Sequence, residues 1–460
     1  MRPHIRSLIL VVLWAVGVTL IWGLIPPVPR DWHPPVGEYR ICGFIGDGHT
    51  LVMAGPPPTE DVHGIGMWLK GPIRLWDIET GRLLMSCFKD TDLLPWVQGL
   101  ENHDLILVMQ REGRLDEYKF RRILLNASTG KEVASFSCHI PRASLFTTNA
   151  WWWIVSADAR WTAFTSYENE GACIKVHDIA SGRLMHVLRG YQGPICFSPD
   201  GRRLAATTWK ERAPEQAPLF IITIWDIATG EAISNLALPA RNRLDYGRME
   251  LSQRGDLLLD GCCNVWEVDT GKLRFHVPNV RQFSPCLTFA PDGSSLLAIA
   301  QTGNESWLAH YDLLTGREHM ERRIPLSIGG PEITLEKRTG DGRLLLVHGE
   351  PRVRQPTQVE QWLAKAPMLQ RLGDDREYDG CILFETQSGR EIMRANRAIA
   401  CSPDGRFLLS WRNNGEELEI WDIPPRKPLR WLISLATCWT IPFALPVWRI
   451  ARRRRKQLKP

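Results

Sequence analysis

The sequence lacks the motifs that carry common enzyme chemistries. It contains no His-Glu-x-x-His, no Gly-x-Ser-x-Gly and no Walker loop, and its 12 histidines are never two residues apart. Its 11 cysteines are odd in number and show no paired spacing, so they predict no disulfide framework. These absences predict a protein that is not an enzyme, with no catalytic residues, no bound metal and no cofactor.

Acidic residues are absent from both ends of the chain, where basic residues are concentrated. Arg2 and Arg6 lie at the start, and Arg430 and seven further lysines and arginines, from Arg449 onward, lie at the end. Because the net charge of the whole chain is only +5, the body between the ends is mildly acidic. A nucleic-acid-binding domain spreads its basic residues over a folded face. The distribution therefore predicts no nucleic-acid partner.

Two uncharged apolar stretches adjoin the basic ends, at residues 8–25 and 431–448. Each is about 27 Å long as a helix, close to the roughly 30 Å hydrocarbon core of a bilayer. We therefore predict a transmembrane helix at each end of the chain. The expected segments are a stub and signal anchor over 1–30, a membrane span over 429–448 and a polybasic tail over 449–460.

Each apolar stretch has an alternative interpretation. The first fits a cleaved signal peptide, but no A-x-A cleavage site follows it. The second fits a buried or interfacial segment, because Pro442 and Pro446 interrupt a continuous helix. If both stretches span the membrane, the positive-inside rule places both termini in the cytoplasm. The region between the stretches then lies on the opposite side of the membrane, which is the periplasm if the source is a bacterium.

A two-phrase repeat fills the region between the ends. The first phrase is "FSPDGRRLA" at 197–205, and it recurs as "FAPDGSSLL" at 289–297 and "CSPDGRFLL" at 401–409. The second phrase follows it, as in "ITIWDIATGEAI" at 222–233. Pro and Gly in the first phrase fit a tight turn between strands, and Asp and Gly in the second fit another. Each pair of phrases predicts a four-stranded antiparallel blade, and such blades stack in a ring.

The residue that caps the second turn recurs at intervals close to the length of a propeller blade. Its eight occurrences predict an all-β, eight-bladed propeller over residues 38–428, with seven blades as the alternative because the second blade is poorly marked. We expect the last blade to have a short fourth strand, or one supplied by residues 33–39. Structural roles at the turns are predicted for Asp77, Gly81, Asp178, Gly182, Asp226, Gly230, Asp312, Gly316 and Asp422.

"FSPDGRRLA" followed by "ITIWDIATGE" resembles the WD40-repeat family, and the resemblance covers roughly residues 38–424. Trp precedes the capping Asp at Asp77, Asp226 and Asp422 but not in the other blades, and the usual Gly-His dipeptide is absent from its place. The side-chain network of regular WD40 blades should therefore be missing. The resemblance implies a platform for an unidentified protein partner. We predict a membrane-tethered interaction scaffold.

Two other functions stay open. Quinoprotein dehydrogenases, which use a PQQ-type cofactor, also have eight blades with "D-x-x-T-G-x" repeats, and some carry a disulfide between adjacent cysteines beside the quinone. Cys262 and Cys263 are adjacent, but "LLLDGCCNVWEV" favours a strand with one cysteine on each face. An extracytoplasmic ligand sensor is the other possibility, although few residues follow Trp448 to form an effector domain.

The longest insertion between repeat phrases spans residues 350–380. Loops rather than blades carry recognition in propellers, and Arg, Trp and Tyr dominate binding hot spots. Residues 358–372 fit a short amphipathic helix broken at Pro367. The alternative is a surface insertion with no role. The candidate partner-binding residues are Arg352, Arg354, Trp362, Met368, Leu369 and Tyr378.

Overall fold

The computed structural model describes the chain in segments. The described residues are 12–19, 28–30, 40–55, 69–88, 93–94, 96–100, 103–112, 119–141, 152–168, 171–191, 193–210, 219–238, 249–278, 280, 287–290, 292–302, 305–319, 323–326, 328–339, 342–351, 380–396, 398–412, 417–426, 433 and 437. The chain divides into two compact units, one of residues 1–31, 355–376 and 421–460 and one of residues 32–354 and 377–420.

The described residues form strands throughout the second unit, and the last strand ends in the first. The strands of the first four blades and of a small extra sheet are β1 Arg40–Phe44, β2 Thr50–Ala54, β3 Leu69–Lys70, β4 Ile73–Asp77, β5 Leu83–Cys87, β6 Leu93–Leu94, β7 Trp96–Gly99, β8 Leu105–Glu112, β9 Lys119–Asn126, β10 Glu132–His139, β11 Trp153–Val155, β12 Trp161–Glu168, β13 Gly171–Asp178, β14 Leu184–Arg189, β15 Ile195–Phe197, β16 Arg203–Lys210, β17 Leu219–Asp226 and β18 Ala232–Leu238.

The strands of the other four blades follow in chain order. They are β19 Glu250–Leu251, β20 Leu257–Leu259, β21 Asn264–Glu267, β22 Leu273–His276, β23 Leu287–Phe289, β24 Ser295–Thr302, β25 Glu305–Asp312, β26 Ile324–Pro325, β27 Ile328–Arg338, β28 Leu344–Pro351, β29 Gly380–Glu385, β30 Glu391–Asn396, β31 Ala398–Cys401, β32 Phe407–Arg412 and β33 Glu417–Asp422.

These strands form eight blades, each an antiparallel meander in which neighbours along the chain are neighbours in the sheet. Blade 1 is β1-β2-β4-β5, and blades 2 to 7 take four consecutive strands each, from β7–β10 to β27–β30. Blade 8 contains β31-β32-β33 among the described residues, and β3 pairs with β6 in a separate two-stranded sheet. The prediction of an all-β, eight-bladed propeller is confirmed, and the seven-bladed alternative is wrong.

The middle strands of the blades are buried on both faces, because a blade on each side covers them. Ile222, Thr223 and Ile224 follow one another in β17 and are all buried. Burying an isoleucine side chain stabilises the fold by about 2–3 kcal/mol. A blade alone cannot bury both faces, so its stability depends on its neighbours.

The ring closes where the first blade packs against the last. Phe44, Leu51 and Ile78 of blade 1 share one hydrophobic cluster with Phe407 and Ile420. Across the same seam, the guanidinium of Arg406 donates to Glu79 Oε1 over 2.7 Å and approaches His49 Nε2 at 3.0 Å. Blade 8 therefore contacts blade 1 through both apolar and charged groups.

The predicted membrane segments are described only in small part, at residues 12–19, which are helical, and at Ile433 and Thr437. Within the described segments, no helix combines the length and the apolar character that crossing a membrane requires. The expected contribution of residues 33–39 to the last blade lies outside the described residues.

Candidate functional site

The two ends of the blades differ in how their connections are built. Because each blade is a meander, its first and third connections lie at one end, which we call the turn face. Its second connection and the link to the next blade begin and end at the opposite end, which we call the loop face. In blade 4 the turn-face connections are residues 198–202 and 227–231, whereas the loop-face connection between β28 and β29 runs over residues 352–379.

The first turn is closed by its own side chains in several blades. In blade 4, Ser198 Oγ accepts the N–H of Arg203 over 2.9 Å and donates to Asp200 Oδ1. Gly201 in this turn has φ +70°, a left-handed conformation that favours glycine. The same serine–aspartate pair occurs in the turns of blades 3 and 8, as Ser156 with Asp158 and Ser402 with Asp404.

The second turn is closed by the capping residue that the repeat predicts. Asp226 Oδ1 accepts the backbone N–H of Thr229 over 2.9 Å and its hydroxyl over 3.2 Å. Gly230 follows with φ +75°, and its N–H donates to the Asp226 carbonyl over 2.8 Å. The bonds from Thr229 hold the pKa of Asp226 below its usual value. The carboxylate is therefore engaged by its own turn.

The same cap recurs around the ring. Asp77 with Thr80, Asp178 with Ser181 and Asp312 with Thr315 repeat the pair of bonds. Gly81, Gly182 and Gly316 complete these turns with φ between 66° and 69°. In blade 2 the amide oxygen of Asn126 accepts the same two bonds from Thr129. Asp422 in blade 8 differs, because its carboxylate binds two arginines instead.

The candidate partner-binding residues all fall in the long loop-face connection. Arg352, Arg354, Trp362, Met368, Leu369 and Tyr378 lie outside the described residues. The structure describes the strands on either side, β28 and β29, which pair in register from Leu344 with Glu385 to His348 with Cys381. The insertion therefore starts and ends on two paired strands of blade 7.

Cys262 and Cys263 do not lie in a strand, so that expectation is wrong. They occupy the turn between β20 and β21, where Cys263 has φ +66°. The buried carboxylate of Asp260 shapes this turn by accepting the N–H groups of Cys262 and Asn264 over 2.9 and 3.0 Å. It also accepts the indole N–H of Trp266 over 2.9 Å. These bonds draw the chain into a tight turn that the apolar pattern of the segment does not reveal.

A fully buried arginine is the feature that sequence reasoning missed. Arg122 in β9 is 0% exposed, between blades 2 and 3. Its guanidinium donates to the carbonyl of Thr165 over 3.0 Å, to that of Trp152 over 3.3 Å and to Cys138 Sγ over 3.3 Å. It also lies 4.8 Å above the ring centre of Phe164. Burial lowers the pKa of Arg122, and the Cys138 sulfur opposes that shift.

The repeat register contains the signal that would have identified Arg122. It stands four residues before the cap of its blade, and in the other blades this position is buried and not charged. The residues there are Ile73, Ile174, Ile222, Cys263, Leu308, Cys381 and Leu418. A cation in that register predicts a polar link between blades, which is what the structure shows.

The described residues contain no group of three or more His, Cys, Asp or Glu side chains placed to hold a metal ion. The acidic side chains of the repeat, such as Asp226 and Asp312, are engaged in turns. These bonds stabilise the hairpins of the blades.

The comparisons with known proteins concern the fold. No protein-family model matches the chain, and no curated protein matches it. Among solved structures, it is similar to a eukaryotic initiation factor, with 14% identity and a TM-score of 0.53 over 87% of this chain and 89% of that chain. It also aligns with the hydrazine synthase of Kuenenia stuttgartiensis, with 12% identity and a TM-score of 0.39 over 86% of this chain and 97% of that chain. The first similarity supports the eight-bladed propeller.

Proposed function

We propose that this protein is a membrane-tethered, WD40-like propeller that acts as a protein-interaction scaffold without catalysing a reaction. The observation that carries the proposal is the difference between the two ends of the blades. The turn-face connections of blade 4 are short and are closed by hydrogen bonds to their own side chains, as from Thr229 to the carboxylate of Asp226. The loop face carries the long connection over 352–379. Recognition in a scaffold of rigid blades depends on such loops.

The proposed partner site is the insertion, with Trp362 at its centre. Trp, Arg and Tyr supply most of the binding energy in protein interfaces, and the segment holds all three types at Arg352, Trp362 and Tyr378. Support for an added rather than structural role comes from the flanking strands. β28 and β29 pair with each other in a continuous ladder from Leu344 with Glu385 to His348 with Cys381.

Deleting residues 352–378 tests this site. The experiment is in-cell crosslinking of the full chain followed by mass spectrometry, with the deletion, Trp362→Ala and the matched control Lys365→Ala. We expect the deletion to remove the main crosslinked partner, Trp362→Ala to reduce its yield at least tenfold and Lys365→Ala to leave it unchanged. An unchanged partner set after the deletion would overturn the site.

The tether is proposed from the two apolar stretches and the basic residues beside them. We expect the full chain to sediment with membranes after alkaline carbonate washing. In sealed vesicles of known orientation, protease added to the cytoplasmic side should spare the propeller. Digestion of the blades from that side would contradict the proposed topology, and release by carbonate would contradict the tether.

A further inference from the structure

Asp422 occupies the capping position of blade 8, but its turn cannot use the cap that the other blades use. In blade 4 the carboxylate of Asp226 accepts the backbone N–H of Thr229, three residues on. The residue three after Asp422 is Pro425, and Pro424 precedes it. Proline has no backbone N–H to donate. The carboxylate of Asp422 is thereby available for other donors.

Two arginines from opposite ends of the chain bind this carboxylate. Arg30 donates to Asp422 Oδ1 through Nε over 3.1 Å and through Nη2 over 2.8 Å. Arg426 Nε lies 2.6 Å from Asp422 Oδ2. The Arg30 and Asp422 side chains are 10% and 13% exposed, whereas Arg426 is 61% exposed. The inner pair is therefore shielded from solvent, and Arg426 covers it from outside.

The backbone reinforces the contact between the two terminal segments. The N–H of Val28 donates to the carbonyl of Arg426 over 3.0 Å. Residues 28–30 therefore run beside residues 422–426, and all of these residues belong to the same unit. Val28 stands three residues after the first apolar stretch, which ends at residue 25, and Arg426 stands five residues before the second, which begins at residue 431.

We infer that Asp422 is the centre of a clasp, a set of ion pairs and one backbone hydrogen bond that holds the two terminal segments together. Both apolar stretches therefore start from adjacent points of the fold. The clasp consists of Arg30, Asp422 and Arg426, with Val28 as its backbone link. A displacement of one terminal segment is transmitted to the other through this clasp. The inference concerns the chain ends alone and does not depend on the proposed partner site.

Disulfide crosslinking in the full chain tests the proximity. The backbone hydrogen bond between Val28 and Arg426 brings the two residues together, and a disulfide joins residues whose Cα atoms are about 4.4–6.8 Å apart. The variant Val28→Cys/Arg426→Cys keeps the shielded Arg30–Asp422 pair. We expect mild oxidation to link the two cysteines, with the linked peptide identified by mass spectrometry. Each single variant is the control against pairing with native cysteines. Absence of the linked peptide would overturn the inference.

Removing the carboxylate tests the clasp itself. Adding Asp422→Asn to the double-cysteine variant should slow the crosslink at least tenfold. In the otherwise unchanged protein, Asp422→Asn should speed tryptic cleavage after Arg30 at least tenfold, because the arginine side chain is released to enter the protease. If Asp422→Asn also perturbs the blades, as judged by tryptophan fluorescence, Arg30→Gln provides the crosslinking comparison from the other partner, because it removes the ion pair but also the tryptic site. An unchanged crosslinking rate in both variants, or an unchanged rate of cleavage after Arg30 in Asp422→Asn, would contradict the clasp.

Discussion

The turn face and the loop face are built from the same strands but follow different rules. At the turn face, four blades repeat one aspartate cap, and Asn126 performs it in a fifth. At the loop face, the second connection ranges from two residues, at 169–170 and 303–304, to the insertion at 352–379. Both kinds of connection join paired antiparallel strands, but a tight turn that is closed by its own side chains is constrained in sequence, whereas a longer surface connection can accept an insertion. In the function that we propose, the turn face serves folding and the insertion at the loop face serves recognition.

Arg122 is buried between blades 2 and 3 and belongs to neither face. Its substitution should have the largest effect on stability. Arg122→Ala removes the bonds to Thr165 and Trp152 and leaves a cavity between blades 2 and 3. We expect a loss of about 3–5 kcal/mol in the free energy of unfolding, measured by urea denaturation. Arg122→Met fills most of the volume and should lose about half as much. Equal losses in the two variants would show that the hydrogen bonds, rather than the volume, stabilise the seam.

The turn at 260–263 lies at the loop face, but a buried side chain holds it. We therefore expect a substitution there to destabilise the fold. The Asp260 carboxylate is buried and accepts bonds from Cys262, Asn264 and Trp266. Removing these acceptors in Asp260→Ala should cost about 2–4 kcal/mol, because buried donors lose their partners. Thermal unfolding provides the measurement, and Asp260→Asn, which keeps one acceptor oxygen, should lose less. A neutral Asp260→Ala would show that the Asp260 carboxylate does not stabilise this connection.

A single aspartate cap at the turn face should contribute less to the free energy of unfolding than Asp260 does. Asp226→Ala removes the bonds from Thr229, and the loss of such a cap costs about 1 kcal/mol. Asp226→Asn should be nearly neutral, since Asn126 already performs the same cap in blade 2. Urea denaturation of both variants distinguishes a hydrogen-bonding role from a role of the negative charge. A large loss in Asp226→Asn would favour the charge.

The smallest expected effect is on the pH dependence of the stability of the fold. Hydrogen bonds within their turns lower the pKa values of Asp178, Asp226 and Asp312 in the folded protein. A depressed folded pKa stabilises the protein above the unfolded value of about 3.8, and this stability is lost as the pH falls through the folded pKa. The unfolding midpoint should therefore decrease below about pH 4. The triple variant with Asn at these positions should show a shallower decrease, and an identical pH profile would contradict the caps as its source.

Local patterns in the sequence predicted the blades, because each hairpin is specified by residues close together in the chain. The turns at Gly201 and Gly230 follow directly from "PDG" and "ATG". The features that were not predicted depend on distant or side-chain contacts. Arg122 binds residues of the next blade, and Arg30 meets Asp422 across 392 positions of sequence. The turn at Cys262 arises from a buried carboxylate that apolar periodicity cannot reveal.

The most direct measurement of the division between the faces combines partner crosslinking with the unfolding midpoint in two variants of the full chain. The deletion of 352–378 should abolish the main crosslinked partner and leave the unfolding midpoint of the propeller unchanged. Asp226→Ala should lower the midpoint and leave the crosslinked yield unchanged. Retention of the partner in the deletion would contradict the assignment of recognition to the loop face, and loss of the partner in Asp226→Ala would contradict the separation of the two faces.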